Sequence, residues 1–335
     1  MGFAVHAPNR IDLAGGTTDI YPLCLFMDGG CTVNVSISVL STAVVELSPD
    51  PVITLISEDQ GESVRCRNPS DLPVEGPLGL IGRAVRAVSP GPGLVIRTRN
   101  HAPKGSGLGA SSALLVALLR GLFQVRNQEI TRRDIIDLAA DIETANLGVP
   151  TGKQDYVAAA YGGVSAIEFR HGGFLRQTFS DDSLLPEALE QRLILAYTGE
   201  GHFSGMNNWE ITKRYIDNTD EVRETLHRIR DVAVEMKRSL LREQWDELPR
   251  FVEREWELRR TLAPGVTTER IDRIMGAARN AGALAGKVCG AGGGGCMITM
   301  VDPDRRDAVR EAMKAAGAEL MPFRIDRQGL RVIAT

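Results

Sequence analysis

The chain has 335 residues, about twice the usual length of one domain, so we expect two domains. It carries 39 Lys and Arg against 43 Asp and Glu, a net charge of −4, which offers no basic excess for binding nucleic acid or an anionic membrane. Its composition is ordinary for a globular protein, and no apolar run approaches the roughly 18 residues of a membrane span.

The first ten residues, MGFAVHAPNR, lack the charged and apolar regions of a signal peptide, so we expect a cytoplasmic protein. The five cysteines are scattered without a CxxC pair, and the five histidines form no metal-binding motif. Neither a disulfide framework nor a transition-metal site is therefore expected. Glycine is the compositional exception, with 35 residues, and much of the excess lies in three clusters.

Strands and helices alternate irregularly along the first half of the chain. Strands are predicted over 3–8, 10–14 (around a loop at Ala7-Pro8-Asn9), 32–47, 93–99 and 164–169. Helices are predicted over 78–89, 108–124, 132–147 and 152–160. The helix over 108–124 is apolar almost all round, which predicts that it is buried.

Residues 173–191 have weaker periodicity and carry Pro186, so we place the boundary between two domains, 1–185 and 186–335, in this segment. The predicted elements beyond it are a strand over 193–198, two or three charged helices within 205–260, a helix over 267–282, a strand over 296–301, a helix from Asp302-Pro303 to about 316, and two terminal strands. This order favours an α+β fold over a doubly wound sheet.

The second glycine cluster, PKGSGLGASSA over 103–113, lies between a predicted strand and the apolar helix. Its glycines let the backbone approach a ligand closely, and the free N–H groups of the first helical turn favour an anion. Ser111 and Ser112 add hydroxyls that can bind a phosphate oxygen or Mg²⁺. These features predict a site for a nucleotide polyphosphate, although the Walker A sequence GK[ST] does not occur.

A dinucleotide site is the rival interpretation of the glycines. GxGxxG/A occurs at Gly105-x-Gly107-x-x-Ala110 and again at Gly290-x-Gly292-x-x-Gly295. The first is followed by a second helix rather than by a strand ending in an acidic residue, and the second is followed by a strand rather than by a helix. The context that the fingerprint requires is therefore missing at both places.

The first cluster, RIDLAGGTTD over 10–19, combines a basic residue, two hydroxyls and a carboxylate at one glycine turn. Such groups can bind a polyol, while the alternative is a solvated turn with a surface ion pair. Glu143 lies on the apolar helix face, where a carboxylate is costly unless it is paired or bound to a cation. Asp155 lies in the first turn of the next helix, where the dipole favours its ionised form. The alternative interpretations are a surface acid at the helix edge for Glu143 and a capping residue for Asp155.

Together the three clusters resemble the galactokinase, homoserine kinase, mevalonate kinase and phosphomevalonate kinase (GHMP kinase) superfamily. PKGSGLGASSA is similar to its phosphate-binding motif, KVCGAGGGGCM over 287–297 to its C-terminal glycine-rich motif, and APNRIDLAGGTTD to its substrate motif. The resemblance implies a two-domain fold, with an N-terminal domain like the second domain of ribosomal protein S5 and a ferredoxin-like C-terminal domain.

The resemblance also implies roles for particular residues, with ATP and Mg²⁺ as cofactors. ATP would be bound by Lys104, Gly105, Ser106, Gly107, Leu108, Gly109, Ala110, Ser111 and Ser112. Mg²⁺ would be held by Ser112 and Glu143, and catalysis would depend on Asp155 and Arg10. The acceptor would be bound by Arg10, Gly16, Thr17, Thr18, Asp19, Asp155, His202, Gly292 and Gly293. Lys104 and Lys153 are candidates for neutralising phosphate charge.

The acceptor is less well defined. Galactokinases carry GEHTD where this chain has Gly15-Gly-Thr-Thr-Asp19, and the form seen here, with GKQD over 152–155, looks most like the heptose 7-phosphate kinases. The loop TGEGHFSGMNNW departs from them, and its His202, Ser204, Asn207 and Asn208 could bind a different sugar or form an ordinary polar loop. We expect a sugar kinase that acts on a sugar or sugar phosphate. We expect it to bind neither nucleic acid nor a membrane and to be a monomer or homodimer. Mevalonate-type and galactokinase-type kinases, or a non-catalytic sugar sensor, are the alternatives.

Overall fold

The computed structural model describes residues 2–91, 93–179, 184–201, 204–217 and 220–334. The strands are Gly2–Ala14 (β1), Gly30–Leu47 (β2), Ile53–Ser57 (β3), Glu62–Cys66 (β4), Leu94–Asn100 (β5), Val164–Arg170 (β6), Gly173–Thr178 (β7), Leu193–Tyr197 (β8), Ala283–Val288 (β9), Cys296–Val301 (β10), Glu319–Met321 (β11) and Arg331–Ala334 (β12). Across these ranges, no helix combines the length and apolar character needed to span a bilayer.

The helices surround two separate sheets. They are Leu23–Phe26 (α1), Gly79–Val88 (α2), Ala110–Val125 (α3), Arg132–Leu147 (α4), Gln154–Tyr161 (α5), Leu185–Arg192 (α6), Ser204–Ile216 (α7), Asp220–Leu241 (α8), Leu248–Arg259 (α9), Glu269–Asn280 (α10) and Arg306–Ala315 (α11). The bounds of α4 and β10 are those predicted from the sequence. For α4 the reason is its caps, because the Thr131 hydroxyl accepts a hydrogen bond from the Asp134 N–H and the helix ends at Gly148.

The larger sheet has eight strands and is built around the long strand β2. Its main order is β12-β1-β2-β5-β3-β4, and β6 and β7 extend from the first part of β2. Helices α3 and α5 pack against this sheet, α2 and α4 pack on α3, and all four share one apolar core with the sheet. Helix α3 is buried along most of its length, as predicted from its apolar sequence. This burial fixes the position of its N-terminus, where the second glycine cluster lies.

The smaller sheet has the strand order β11-β8-β10-β9, with all neighbours antiparallel. In chain order this arrangement is 4-1-3-2, with α7 to α10 between its first and second strands and α11 between its third and fourth. That connectivity is the ferredoxin-like βαββαβ pattern. The expected α+β fold class with two sheet-based halves is confirmed.

Four features of the sheets differ from the sequence expectation or extend it. The predicted loop at Ala7-Pro8-Asn9 is wrong: β1 runs through it, with a register shift between Pro8 and Asn9 that tolerates a residue without an N–H group. The hairpin of β3 and β4 was not predicted, and β7 forms within the segment of weak periodicity. Strand β12 pairs with β1, so the end of the chain returns to the larger sheet. The boundary near residue 185 stays a prediction.

Candidate active site

A cavity of about 1110 Å³ opens beside the N-termini of α3 and α5, where the loop before α3 faces the loop between β9 and β10. The predicted site residues that line it are Arg10, Gly16, Thr17, Asp19, Lys104, Gly105, Ser106, Gly107, Gly109, Ala110, Ser111, Ser112, Glu143 and Asp155. Gly290 and Ala291 of the third motif line it as well, so the structure brings together residues that three sequence motifs and two helices contribute separately.

The two glycine loops hold each other in place. Gly107 has a φ of +73°, and a Cβ there would lie 2.5 Å from the carbonyl oxygen of Cys289, so a larger residue would separate the loops. The N–H of Cys296 donates to the carbonyl oxygen of Ser106 at 2.7 Å. At the end of this loop, Gly109 caps α3 without a side-chain hydrogen bond. The first N–H groups of α3 are therefore available to an anion in the cavity.

Glu143 lies at the wall of the cavity with a ring of hydroxyl groups around it. The hydroxyls of Ser111, Ser112 and Tyr156 all donate to its carboxylate, the last two to Oε2 at 2.7 and 2.6 Å. Burial raises the pKa of Glu143, and these hydrogen bonds oppose that shift. The sequence patterns did not single out Tyr156, which follows Asp155 on α5 and is fully buried.

The oxygen atoms at this wall fit Mg²⁺. The cation prefers hard oxygen ligands and is commonly held by one or two carboxylates together with substrate phosphates and water. Glu143 supplies a carboxylate and Ser112 a hydroxyl, and both residues line the cavity beside the free N–H groups of α3. The chemistry of the donor set therefore suits a cation that bridges the chain and a polyphosphate.

Asp155 stands between the phosphate-binding loop and the first motif. Its Oδ1 lies 2.6 Å from Nη2 of Arg10, whose Nη1 donates to the carbonyl oxygen of Gly107 at 2.6 Å. The Asp155 side chain is 21% exposed and that of Arg10 is 5% exposed, so the carboxylate is the more accessible member of a pair that lines the cavity. Burial raises the pKa of Asp155, and Arg10 opposes this by favouring the charged form.

The close approach of Asp155 to α3 requires glycine at position 109. This residue has a φ of +75°, and a Cβ there would lie 2.9 to 3.0 Å from the Cγ, Cβ and Oδ2 atoms of Asp155. We expect Gly109→Ala to cost about 1–3 kcal/mol of stability and to displace the carboxylate, lowering turnover by about 10²-fold. Urea unfolding and steady-state kinetics measure the two effects.

Gly148→Ala is the matched control for this variant. Gly148 has a similar φ of +68°, and a Cβ there would meet nothing within 4 Å. The control therefore suffers the backbone strain without the contact with Asp155. Its stability should fall by no more than that of Gly109→Ala, while its turnover stays within about twofold. Equal losses of turnover in both variants would contradict the steric explanation.

The first motif supplies a second carboxylate, that of Asp19. Its Oδ2 accepts a hydrogen bond from the N–H of Gln154 at 2.9 Å, which joins the first motif to the start of α5. Burial raises the pKa of Asp19 to about 7. Gly16 and Thr17 line the same part of the cavity, and the Thr17 hydroxyl lies 3.4 Å from Oδ1 of Asn208 on α7. Carboxylate, amide and hydroxyl groups of this kind bind polyols.

Two predicted residues of the first and second motifs face the protein interior instead of the cavity. The Thr18 hydroxyl donates to the carbonyl of Gly15 at 2.7 Å and accepts from the N–H of Cys31, so it fixes the turn. Leu108 is fully buried, and its carbonyl accepts from the N–H of Arg10 at 2.9 Å. Both positions support the loops that form the cavity.

The other predicted residues differ in their distance from the cavity. Gly292 and Gly293 pack against Val266, while Gly290 and Ala291 of the same loop line the cavity. Lys153 pairs with Asp137 at 2.5 Å on the outer side of α4. Lys104 is exposed at the mouth of the cavity. His202 lies outside the described residues. Polar lining residues that the sequence analysis did not identify include Asp12, Asp59, Gln60, Asn100, Asn146 and Gln154.

Comparisons with known proteins agree with this geometry. The family model for the GHMP kinases N terminal domain matches residues 79–163, and that for GHMP kinases C terminal matches residues 236–319. Mevalonate kinase of Thermococcus onnurineus is 30% identical over 246 residues, which cover 72% of this chain and 70% of the relative. The chain belongs to the GHMP kinase family. It is therefore a small-molecule kinase, and enzymes of this family use ATP as the phosphate donor, generally with Mg²⁺.

Two further GHMP kinases match almost the whole chain. D-glycero-alpha-D-manno-heptose 7-phosphate kinase of Campylobacter jejuni is 27% identical over 332 residues, covering 97% of both chains. The crystal structure of a D-glycero-D-manno-heptose 1-phosphate kinase from Bacteriodes thetaiotaomicron superposes with a TM-score of 0.81 at 26% identity, covering 99% of both chains. The fold expected from the resemblance is thus confirmed along its full length.

Proposed function

We propose that this GHMP kinase transfers the γ-phosphoryl group of ATP to a hydroxyl group of a sugar or sugar phosphate. The anomeric hydroxyl of a heptose 7-phosphate is the leading acceptor, as the similarity to the heptose 7-phosphate kinase of Campylobacter jejuni suggests. The observation that carries the proposal is the position of Asp155, whose carboxylate stands between the open N-terminus of α3 and the polar groups of the first motif.

The N-terminus of α3 is the proposed site of the ATP phosphates. Its free N–H groups and the preceding glycine loop donate hydrogen bonds to phosphate oxygens, and the helix dipole favours their negative charge. Ser112 and Glu143 would hold Mg²⁺ at the adjacent wall, where the cation supplies charge neutralisation for the transferred group. Ser111 and Tyr156 orient the Glu143 carboxylate through their hydroxyls. Lys104 at the mouth of the cavity provides positive charge near the same phosphates.

Asp155 and Arg10 are proposed to act on the acceptor hydroxyl. The guanidinium group binds the carboxylate and the Gly107 carbonyl together, so Asp155 is held at a fixed distance from the phosphate loop. The carboxylate accepts a hydrogen bond from the acceptor hydroxyl and aligns its oxygen with the γ-phosphorus. It takes the hydroxyl proton as the new O–P bond forms and the bond from the γ-phosphorus to the bridging oxygen of ADP breaks. Phosphoryl transfer depends mainly on such positioning and on charge stabilisation.

Asp19, Gly16 and Thr17 are proposed to bind the other hydroxyl groups of the acceptor. They line the cavity together, and the Gln154 N–H ties Asp19 to the helix that carries Asp155. A non-catalytic sensor on the same fold is not favoured, because the groups that transfer requires (Asp155, Arg10 and Glu143) all face one cavity.

A coupled ADP-release assay tests the proposal directly. The purified chain, ATP and Mg²⁺ are combined with neutral sugars, with sugar phosphates that include a heptose 7-phosphate, and with mevalonate. We expect turnover with a sugar or sugar phosphate and none with mevalonate. Turnover with mevalonate alone would replace the sugar acceptor by an isoprenoid precursor. ADP release with none of the acceptors would contradict the proposed sugar kinase.

The acceptor step should depend on pH through Asp19. The pKa of this buried carboxyl is raised to about 7, so it is largely protonated below that value and ionised above it. Because the ionised form accepts hydrogen bonds from two hydroxyls, kcat/KM for the acceptor should rise with pH through about 7. The profile of Asp19→Asn should lack this rise. An identical profile in the two proteins would exclude Asp19 as the titrating group.

A further inference from the structure

Four charged side chains form a buried cluster behind the Gly16–Thr17 turn of the first motif. It consists of Asp12 on β1, Glu255 and Arg259 on α9, and Lys287 on β9, and each side chain is at most 1% exposed. Lys287 Nζ lies 3.2 Å from Oδ2 of Asp12 and 2.9 Å from Oε2 of Glu255. Arg259 binds Oε1 of Glu255 through Nε at 2.7 Å and Nη2 at 2.5 Å. Three separate segments of the chain therefore meet in one ionic network.

The network is balanced, with two positive and two negative groups. Burial alone would raise the pKa of Asp12, but Lys287, Arg259 and Arg10 hold it below its usual value. Buried ion pairs are weak evidence for stability, because desolvation offsets most of their attraction. A network of this kind can instead fix one geometry, since each group is costly to bury without its partners.

Arg259 is the member of the network that reaches the first motif. Its Nη2 donates to the carbonyl oxygen of Gly16 at 2.7 Å, and its Nη1 donates to Oγ1 of Thr17 at 3.2 Å. Thr17 has a φ of +75°, which is an unfavourable backbone conformation for a β-branched residue. Such a conformation persists only where the surroundings impose it, and the guanidinium group contacts both residues of the strained turn.

The hydrogen bonds of the Thr17 hydroxyl determine what this group offers in the cavity. The oxygen accepts a hydrogen bond from Nη1 of Arg259, and the hydroxyl donates toward Oδ1 of Asn208, 3.4 Å away. A hydroxyl group has two lone pairs and one proton, so one lone pair is left. Thr17 lines the cavity, and it can therefore accept a hydrogen bond from an acceptor hydroxyl.

We propose that Arg259 is a positioning residue for the acceptor, because it fixes the Gly16–Thr17 turn and the direction of the Thr17 hydroxyl. Acceptor selection then depends on α9 and β9 as well as on the N-terminal motif. Glu255 holds the guanidinium group from behind, and Lys287 connects Glu255 to Asp12 on the strand that leads into the turn. The proposal rests on the proposed function only in placing the acceptor beside this turn.

Steady-state kinetics of Arg259→Lys distinguish a role in positioning the acceptor from a general loss of folded enzyme. Lysine keeps the positive charge but cannot donate to Gly16, Thr17 and Glu255 in the fixed geometry of the guanidinium group. We expect KM for the acceptor to rise by about 10- to 100-fold while KM for ATP stays within about threefold. The control is Arg254→Lys on the same helix, where Arg254 pairs with Glu235 at 2.6 Å near the surface, and both KM values should be unchanged.

Thr17→Val provides a second variant that leaves the buried charges untouched. It removes the hydroxyl group with little change in shape, so KM for the acceptor should rise while KM for ATP is retained. In the double variant with Arg259→Lys, the removal of the hydroxyl should raise KM by much less than it does alone, because the two groups act through one contact. Additive effects, or an unchanged KM for the acceptor in Thr17→Val, would overturn the proposal even if Arg259→Lys failed to fold.

Hydrogen exchange tests the same proposal without any acceptor. The N–H of Thr18 donates to Gly15 and that of Ile20 to Thr17, so both amides report on the turn. In Arg259→Lys these amides should exchange at least about tenfold faster, with exchange across α3 unchanged. Unchanged exchange at the turn would overturn the positioning role. Because this measurement needs no turnover, it remains decisive if the acceptor panel contradicts the proposed function.

Discussion

Asp155→Asn is expected to lower kcat by about 10²–10⁴-fold while the affinity for ATP stays within a few-fold. The amide has almost the same size as the carboxylate, but it cannot accept the proton of the acceptor hydroxyl. The phosphates are proposed to bind to backbone N–H groups of α3 and its preceding loop, which the substitution leaves in place. Single-turnover kinetics give the rate of transfer, and titration with a non-hydrolysable ATP analogue gives the affinity.

Asp137→Asn is a suitable control for this variant. Asp137 pairs with Lys153 on the outer side of α4, and its side chain is 53% exposed, so turnover should stay within about twofold. Unchanged turnover in purified Asp155→Asn would remove Asp155 from the transfer step. A large loss of affinity for the ATP analogue would indicate a role in nucleotide binding instead.

Glu143→Gln is expected to lower kcat/KM for ATP by about 10²–10³-fold and to raise the Mg²⁺ concentration that gives half-maximal rate. The substitution removes the negative charge that suits the cation. The hydroxyls of Ser111, Ser112 and Tyr156 can reorient toward the amide, because each is both a donor and an acceptor. The fold should therefore be retained, which thermal unfolding of the variant checks.

The neighbouring acid Asp141 provides the comparison, since it lies on the exposed side of the same helix. Asp141→Asn should leave the Mg²⁺ dependence unchanged. If Glu143→Gln and Asp141→Asn required the same Mg²⁺ concentration as the unsubstituted chain, Glu143 would be a structural acid satisfied by its three hydroxyls.

The glycine clusters and the buried acid could be singled out from the sequence because each carries a local physical signal, whereas their convergence on one site was implied by the resemblance to the GHMP kinases. Glycine spacing and an apolar helix locate the phosphate loop, and a carboxylate on the apolar face of α4 marks Glu143. Helix bounds could be predicted where the capping residues are strong, as at Thr131 and Gly148. The predicted break in β1 failed because proline is tolerated at a register shift inside a strand, and only the pairing with β2 shows this.

Local sequence patterns did not predict the buried ionic network behind the Gly16–Thr17 turn. Glu255 and Arg259 do follow the buried positions Leu248, Val252 and Trp256 of α9, so they present the same anomaly that identified Glu143. Their helix lies in a stretch rich in charged residues, where one more Glu and Arg suggest a solvated face. Their partners come from β1 and β9, and nothing in the sequence indicates that these strands meet at α9.

The placement of the predicted residues also shows the limit of a motif. Thr18 and Leu108 belong to motif sequences, yet their roles are to fix a turn and to fill space beneath Arg10. A motif identifies the whole loop. Only the folded chain distinguishes the side chains that face the cavity from those that support the loop. The same reason explains why Tyr156 was missed beside Asp155: α5 directs the two neighbours to different sides of its first turn.

A crystal structure with Mg²⁺ and a non-hydrolysable ATP analogue would show whether the N-terminus of α3 binds the ATP phosphates beside Asp155. We expect phosphate oxygens within hydrogen-bond distance of backbone N–H groups between Gly105 and Ser112, with the cation contacting Glu143 and the γ-phosphate facing Asp155. A nucleotide bound with its phosphates away from this helix end would contradict this expectation.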